Sequence, residues 1–302
     1  MISPLNTPTR RRGIEMMVLS ATLVSTSGLI FRSFDDIGVF EVVFFRSVAL
    51  VLMMCGVISW AYGWQSLTVI RKIGFWGVLG AAFFAGAQTS YVLAFSYTSV
   101  ANITFTIATA PFLTAILARF LLGEKISKQT IFAMLVAAVG IGILFHSNVN
   151  FDSFVGTLLA FLTACCFSCF AVILRKRKDI EMLPVLLVTG LLTIPVGIFL
   201  GSWEGAISLR DISLCLIWGA ILQGFGQSLL ITASKVLKAA EVPLIMLLEF
   251  TLGPFWVWLF LNEIVTFGTL IGGSFILASI LGLTIYELNM ACLLYTSDAA
   301  DE

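Results

Sequence analysis

Apolar runs recur along the whole chain, each closed by a short polar or charged stretch. A helix needs about 20 residues to span the hydrocarbon core of a bilayer. Ten runs of that kind are predicted, at 13–34, 39–60, 74–96, 99–122, 128–146, 154–174, 182–201, 212–234, 240–261 and 266–287. They are continuous, whereas barrel strands alternate over roughly 10 residues, so they read as helices. The first run follows Arg10, Arg11 and Arg12 as a signal peptide would. It outlasts the roughly 7–15 residues of a signal core and meets no small-x-small cleavage site, so it is read as a retained helix.

Composition agrees with the pattern. Apolar residues make up 59% of the chain and charged residues only 11%, with a mean hydropathy of +1.05. A soluble surface needs a much larger charged fraction. The six cysteines lie almost entirely inside the apolar runs, which excludes a secreted disulfide scaffold. The expected fold class is all-α integral membrane with ten transmembrane helices.

Charge sets the expected orientation. With the N-terminus inside, Arg10, Arg11, Arg12, Arg71, Lys72, Arg119, Lys125, Lys128, Arg175, Lys176, Arg177, Lys178, Lys235 and Lys238 all fall at the inner face. Only Arg32 and Arg210 fall outside, and Arg46 lies within a span. Ten crossings then put both termini inside. The basic run 175–178 is explained by topology alone, so no nucleic-acid partner is implied.

Two stretches also repeat 139 residues apart. Gly80-Ala81 falls on Gly219-Ala220, Gln88 on Gln227, Ala94 on Ala233, Ala101 on Ala240, Leu113 on Leu252, Leu122 on Leu261 and Glu124 on Glu263. The polar matches carry most weight in so apolar a chain. That spacing contains an odd number of crossings, which predicts halves of opposite orientation, the mark of inverted-repeat transporters. The halves are read as residues 13–146 and 154–287, after a tail at 1–12, with a linker at 147–153 and a C-terminal tail at 288–302.

The wording at the repeat ends resembles the drug/metabolite transporter superfamily, and within it the EamA family of permeases. In the first half the matching residues are Ala108-Thr109-Ala110-Pro111-Phe112 and Ala118-Arg119-Phe120-Leu121-Leu122-Gly123-Glu124-Lys125. In the second they are Leu247-Leu248-Glu249-Phe250 and Gly253-Pro254-Phe255-Trp256-Val257-Trp258-Leu259-Phe260-Leu261-Asn262-Glu263. The second half departs from the pattern at Phe250, where a proline often stands, and at Asn262, which replaces glycine. The resemblance spans about residues 13–287. It implies a metabolite or drug permease, often an exporter, with helices 1–4 and 6–9 around a central cavity and helices 5 and 10 outside it.

Polar groups within the spans are candidates for transport chemistry. Arg46 lies seven residues into the second helix, roughly 10 Å below its end at the standard rise. An arginine at depth costs on the order of 2.5–3.5 kcal/mol on insertion scales. Glu249 lies nine residues into the ninth helix, near the midplane, and is a candidate to change protonation during a cycle. The two are expected to face one cavity, with Arg46 holding a substrate carboxylate or pairing with Glu249. The alternatives are a permanent ion pair, or Arg46 reaching outward to Glu41. Gln88 and Gln227 suit a polar solute because an amide both donates and accepts, and interhelical bonding is their alternative role. Tyr91 and Asn102 complete the candidate substrate-binding set. Pro111, Pro243 and Pro254 are expected to interrupt helices 4 and 9. Trp218, Trp256 and Trp258 lie deeper and are expected to pack toward lipid, with an aromatic wall for a flat solute as the alternative. The cysteines at 165, 166 and 169 are read as packing, with no metal site.

No nucleotide-binding glycine loop or hydrolase motif is present in the sequence. The expected function is a secondary, non-ATP transporter of a small metabolite, amino acid-like solute or drug, working by alternating access. It needs no cofactor, with proton or other ion coupling left open. The expected partners are the lipid bilayer of a bacterial-type inner membrane and a small-molecule substrate, and a homodimer is compatible. An integral-membrane enzyme or lipid-handling protein, and a non-transporting scaffold, are the alternative classes. Residues 292–302 carry no helix signal and are read as a non-native end.

Overall fold

The computed structural model describes residues 9–147, 151–177, 181–204, 207–237 and 241–298. Lys178, Lys238 and Ala240, three positions used in the sequence reading, lie outside them. The described residues are helical, with no strand. Ten helices are long and apolar enough to cross a membrane: α1 (Arg10–Arg32), α2 (Val39–Lys72), α3 (Gly74–Phe95), α4 (Val100–Leu122), α5 (Lys128–Ser147), α6 (Phe151–Lys176), α7 (Leu183–Leu200), α8 (Leu209–Ser234), α9 (Glu241–Leu261) and α10 (Phe267–Asp298).

The helix ends have local causes. The Ser99 hydroxyl accepts from the Asn102 backbone N–H to start α4, and Ser208 accepts from Asp211 to start α8. At the end of α4, Gly123 adopts φ 72° and the Glu124 N–H donates back to the Ala118 carbonyl. The end of α9 repeats this with Asn262 at φ 52° and Glu263 N–H donating to the Val257 carbonyl. Asparagine tolerates the left-handed conformation, so the missing glycine leaves the cap intact.

Serine and threonine inside the spans bond back to carbonyls one turn earlier, as Ser47 does to Val43 and Thr106 to Asn102. Their hydroxyls are thereby satisfied without water.

Packing sorts the helices into groups. One side contains α3, α4 and α6; the other contains α1, α8 and α9; α2 packs on α7, and α5 on α10. Hydroxyls and amides tie each side internally. Asn102 Nδ2 donates to Thr98 and Thr157, at 2.9 and 2.6 Å, within the first side. Ser20 donates to the Gly226 carbonyl, and Trp256 Nε1 to Ser25, within the second. Between α5 and α10, a Cβ on Gly140 would fall 2.6 Å from the Gly272 carbonyl oxygen, so glycine permits that contact.

Three expectations change. The helix α4 is interrupted at Ala108–Thr109, with Pro111 in the first turn of Ala110–Leu122, but α9 runs unbroken through Glu241–Leu261. Pro243 occupies the first turn of α9, where its missing N–H would have had no helical partner anyway. Trp218 is 2% exposed and lines the interior, so it does not face lipid. The last helix continues to Asp298, through most of the tail expected to lack helix. No glycine or proline stands between Asn289 and Asp298 to stop it.

Candidate functional site

A cavity of about 690 Å³ lies between the two sides, walled by α1, α3, α4, α6, α8 and α9. Thr130 of α5 and Ile280, Leu283, Thr284 and Glu287 of α10 also line it, so the expectation that helices 5 and 10 lie outside the cavity does not hold. Its middle is aromatic and amide-rich. Phe84, Tyr91, Phe167, Phe170 and Trp218 line it together with Gln88, Gln223, Gln227 and Glu249. At one end the lining becomes charged, with Glu124, Lys125, Arg175, Arg177, Lys235 and Glu287. Glu124, Lys125, Arg175, Lys235 and Glu287 are exposed, so the cavity opens there.

The other end is sealed by two layers. The first is aromatic: Phe31 stacks on Phe95 with ring centroids 5.0 Å apart, and Phe34 stacks on Trp218 at 6.4 Å. The second is charged. Arg32 Nε donates to Glu263 Oε2 at 3.0 Å, joining the ends of α1 and α9. The same guanidinium donates to the carbonyls of Phe95 (3.0 Å) and Thr98 (2.7 Å) at the end of α3. Glu263 Oε1 in turn accepts from the Val100 N–H (2.9 Å) at the start of α4. Three hydrogen bonds from one ion pair therefore cross from one side of the cavity to the other.

The wall beside the seal depends on a close backbone contact. A Cβ on Gly219 would fall 2.0 Å from the Arg46 carbonyl oxygen, so only glycine lets α8 press on α2 at this level. That contact brings the Trp218 ring over the Arg46 guanidinium, with Cζ 5.1 Å from the ring centroid. From Trp218 to Gly226 the helix is π-helical. Its i→i+5 bonding widens the turn, so Trp218, Gln223 and Gln227, five and four residues apart, line the same cavity.

The residues singled out from the sequence fall at different depths. Gln88, Tyr91, Gln227 and Glu249 line the cavity. The Tyr91 ring packs edge-on against Phe95, with centroids 4.7 Å apart. Arg46 is 1% exposed and sits behind the wall. Its Nη1 donates to Gln88 Oε1 at 2.9 Å and Nη2 to the Gln88 carbonyl at 3.3 Å. It pairs with neither Glu249 nor Glu41. Glu41 accepts instead from Ser202 Oγ and the Trp203 N–H. Asn102 is fully buried between α4 and α6. The sequence reading missed Gln223, whose position on the wall follows from the π-helical turn. Helical periodicity carries no signal of such a turn.

Residues 11–146 match the profile of the EamA-like transporter family. This stretch is an EamA-like transporter unit. The ten long apolar helices make the chain a multi-pass integral membrane protein, and the family match covers its first half. A crystal structure of another protein superposes on it with a TM-score of 0.69 at 17% identity, covering 92% of this chain and 99% of that one. At that identity the likeness concerns the fold. Curated proteins offer no match to the sequence. The EamA-like unit contributes Gln88 and Tyr91 to the cavity, and Arg46 behind it. Gln223, Gln227 and Glu249 come from helices beyond the matched stretch.

Proposed function

We infer that this chain is a secondary transporter that moves a small metabolite, amino acid-like solute or drug by alternating access. The observation that carries the reading is a cavity at mid-height, open at one end and bolted at the other by an ion pair. Such a chamber holds a solute without giving it a continuous path, which separates a transporter from a channel.

Two features support halves of opposite orientation. The backbone bonds closing α3 recur 139 residues later at the end of α8: Tyr97 and Thr98 N–H donate to the Ala94 carbonyl, and Val236 and Leu237 N–H to the Ala233 carbonyl. The helix ends at Glu124 and Glu263 also match, and these glutamates sit at opposite ends of the cavity. The open end carries Lys125, Arg175, Arg177 and Lys235, which by the positive-inside rule is the cytoplasmic face. The halves are then residues 13–146 and 154–287, both termini are cytoplasmic, and the cavity faces inward, ready to load a solute for export across a bacterial-type inner membrane.

The test is flux into or out of liposomes containing the purified chain, across a panel of metabolites and amphipathic drugs. At least one compound should move, and Glu249→Gln should slow it by about tenfold or more, since the cavity wall loses its carboxyl. Folded protein that moves nothing in the panel argues for a scaffold.

A further inference from the structure

The helices α1 and α9 are tied to each other along their whole length. Arg10 pairs with Glu241 where both begin, Trp256 Nε1 donates to Ser25 at 2.9 Å further along, and Arg32 Nε donates to Glu263 at 3.0 Å where both end. The partners stand 231 residues apart in all three ties. A constant offset at three heights means that the two helices run parallel and in register, over about 33 Å at the standard rise. The helices α4 and α6 are tied in a similar way. Asn102 Nδ2 donates to Thr157 at 2.6 Å, Ser168 to the Ala110 carbonyl at 2.9 Å, and Arg175 pairs with Glu124 at 3.1 Å. They too run parallel, with an offset that drifts because α4 is broken at Ala108–Thr109. In each couple one helix lies in the family match and the other beyond it.

The bonds from couple to couple use other groups. Arg32 donates to the Phe95 and Thr98 carbonyls, and Glu263 accepts from the Val100 N–H. Those backbone groups stand at the end of α3 and the start of α4, where a helix leaves carbonyls and N–H groups without internal partners. Water can take them over at a helix end, so parting there costs little. Parting α1 from α9 would instead break two ion pairs and strip the Trp256 indole N–H of its acceptor inside the bilayer, where no water replaces it.

Building on the transport reading, we propose that the sealed end opens between the α1–α9 couple and the α4–α6 couple, with the Arg32–Glu263 pair kept closed throughout. The pair is a staple inside one moving unit, and the gate consists of what it grips: the Phe95 and Thr98 carbonyls and the Val100 N–H. The line of parting therefore runs between couples that each mix both stretches of the chain, and not between the matched stretch and the rest.

Three bridges test this in the full chain with its six native cysteines replaced by serine. A Cβ on Gly28 would lie 3.3 Å from the Val100 Cβ, close to the separation in a disulfide, so Gly28→Cys/Val100→Cys bridges the line of parting. A Cβ on Gly253 would lie 3.7 Å from the Ser25 carbonyl oxygen, so Ser25→Cys/Gly253→Cys, joined by a short bifunctional thiol reagent, links α1 to α9. Asn102→Cys/Thr157→Cys, joined likewise, links α4 to α6 and is a control only two residues from position 100. The readout is hydrogen exchange at the amide of residue 100, which opening frees from Glu263. The disulfide across the line should slow exchange by about tenfold or more, reversibly on reduction, and the two bridges inside couples should leave it within about twofold. Equal slowing by the 25–253 bridge would mean that α1 and α9 part, and overturns the proposal. A disulfide that slows nothing overturns it as well. If Gly28→Cys/Val100→Cys does not elute as a monodisperse species, the other two bridges decide alone: slowing by either overturns the proposal, and unchanged exchange in both upholds it. Exchange is read without flux, so the expected pattern in protein that moves nothing in liposomes would overturn the transport reading only.

Discussion

Each end of the cavity carries an arginine–glutamate pair, but the two pairs reach different elements. At the sealed end Arg32 and Glu263 pair and also grip α3 and α4 across the cavity. At the open end Arg175 and Glu124 pair at 3.1 Å between α6 and α4, which lie on the same side. Neither of them hydrogen-bonds α8 or α9 among the described residues. The carbonyls that correspond to Phe95 and Thr98 under the 139-residue shift are those of Ser234 and Leu237, at the end of α8. An ion pair that closes one end by reaching across therefore has a counterpart at the other end that has not reached. On the proposed transport reading, this difference in reach is what two ends that take turns would show.

The predictions divide along that comparison. Glu263→Gln weakens both the pair with Arg32 and the bond from Val100. Charge-assisted bonds contribute about 1.5–3 kcal/mol each. Losing one should shift the balance toward an opened seal, raising the rate at which Phe95→Cys, buried in the aromatic layer, is modified by about tenfold or more. Unchanged labelling would mean the aromatic layer seals alone. Arg175→Ala should act differently. The structure described here loses only a half-exposed ion pair, worth about 0–1 kcal/mol, so thermal stability should scarcely move while flux falls by severalfold. A matching fall in stability would assign Arg175 a static role. The smallest effect is expected at Asn102. Asn102→Ala removes bonds within one side, so it should lower unfolding stability by about 0.6–1.7 kcal/mol, the range for interhelical bonds in membranes, and leave substrate affinity unchanged. A raised Kd with unaltered stability would place Asn102 in contact with the solute after all.

Much of this architecture was legible in advance because membranes impose simple rules. All ten spans follow from the need to bury backbone in helices, and their ends fall within a few residues of the expected ones except at α2, which runs on to Lys72, and α10, which runs on to Asp298. The shared cavity position of Gln88, Tyr91, Gln227 and Glu249 also follows, since polar groups in a span face an interior. What was not legible depends on lateral contacts. The partner of Arg46 was sought among carboxylates by depth alone. The actual partner, Gln88, is set by how α2 packs on α3 and α8, through Gly219. Gln223 was hidden because its place on the wall requires a π-helical turn. The break in α4 without one in α9 was hidden as well. A proline's consequence depends on whether it falls in a first turn, as Pro111 and Pro243 do, or deeper, as Pro254 does.

The central claim is that the two ends open and close in opposition. Spin labels at Tyr97 and Ile264 flank the sealed end, and labels at Lys125 and Val236 occupy the positions 139 residues removed at the open end. Pulsed electron–electron distance measurements on both pairs, with and without a transported solute, report each end separately. Opposition predicts two distances at each pair, with the 97–264 distance lengthening in the conditions where the 125–236 distance shortens. Pairs that stay fixed, or lengthen together, would contradict it.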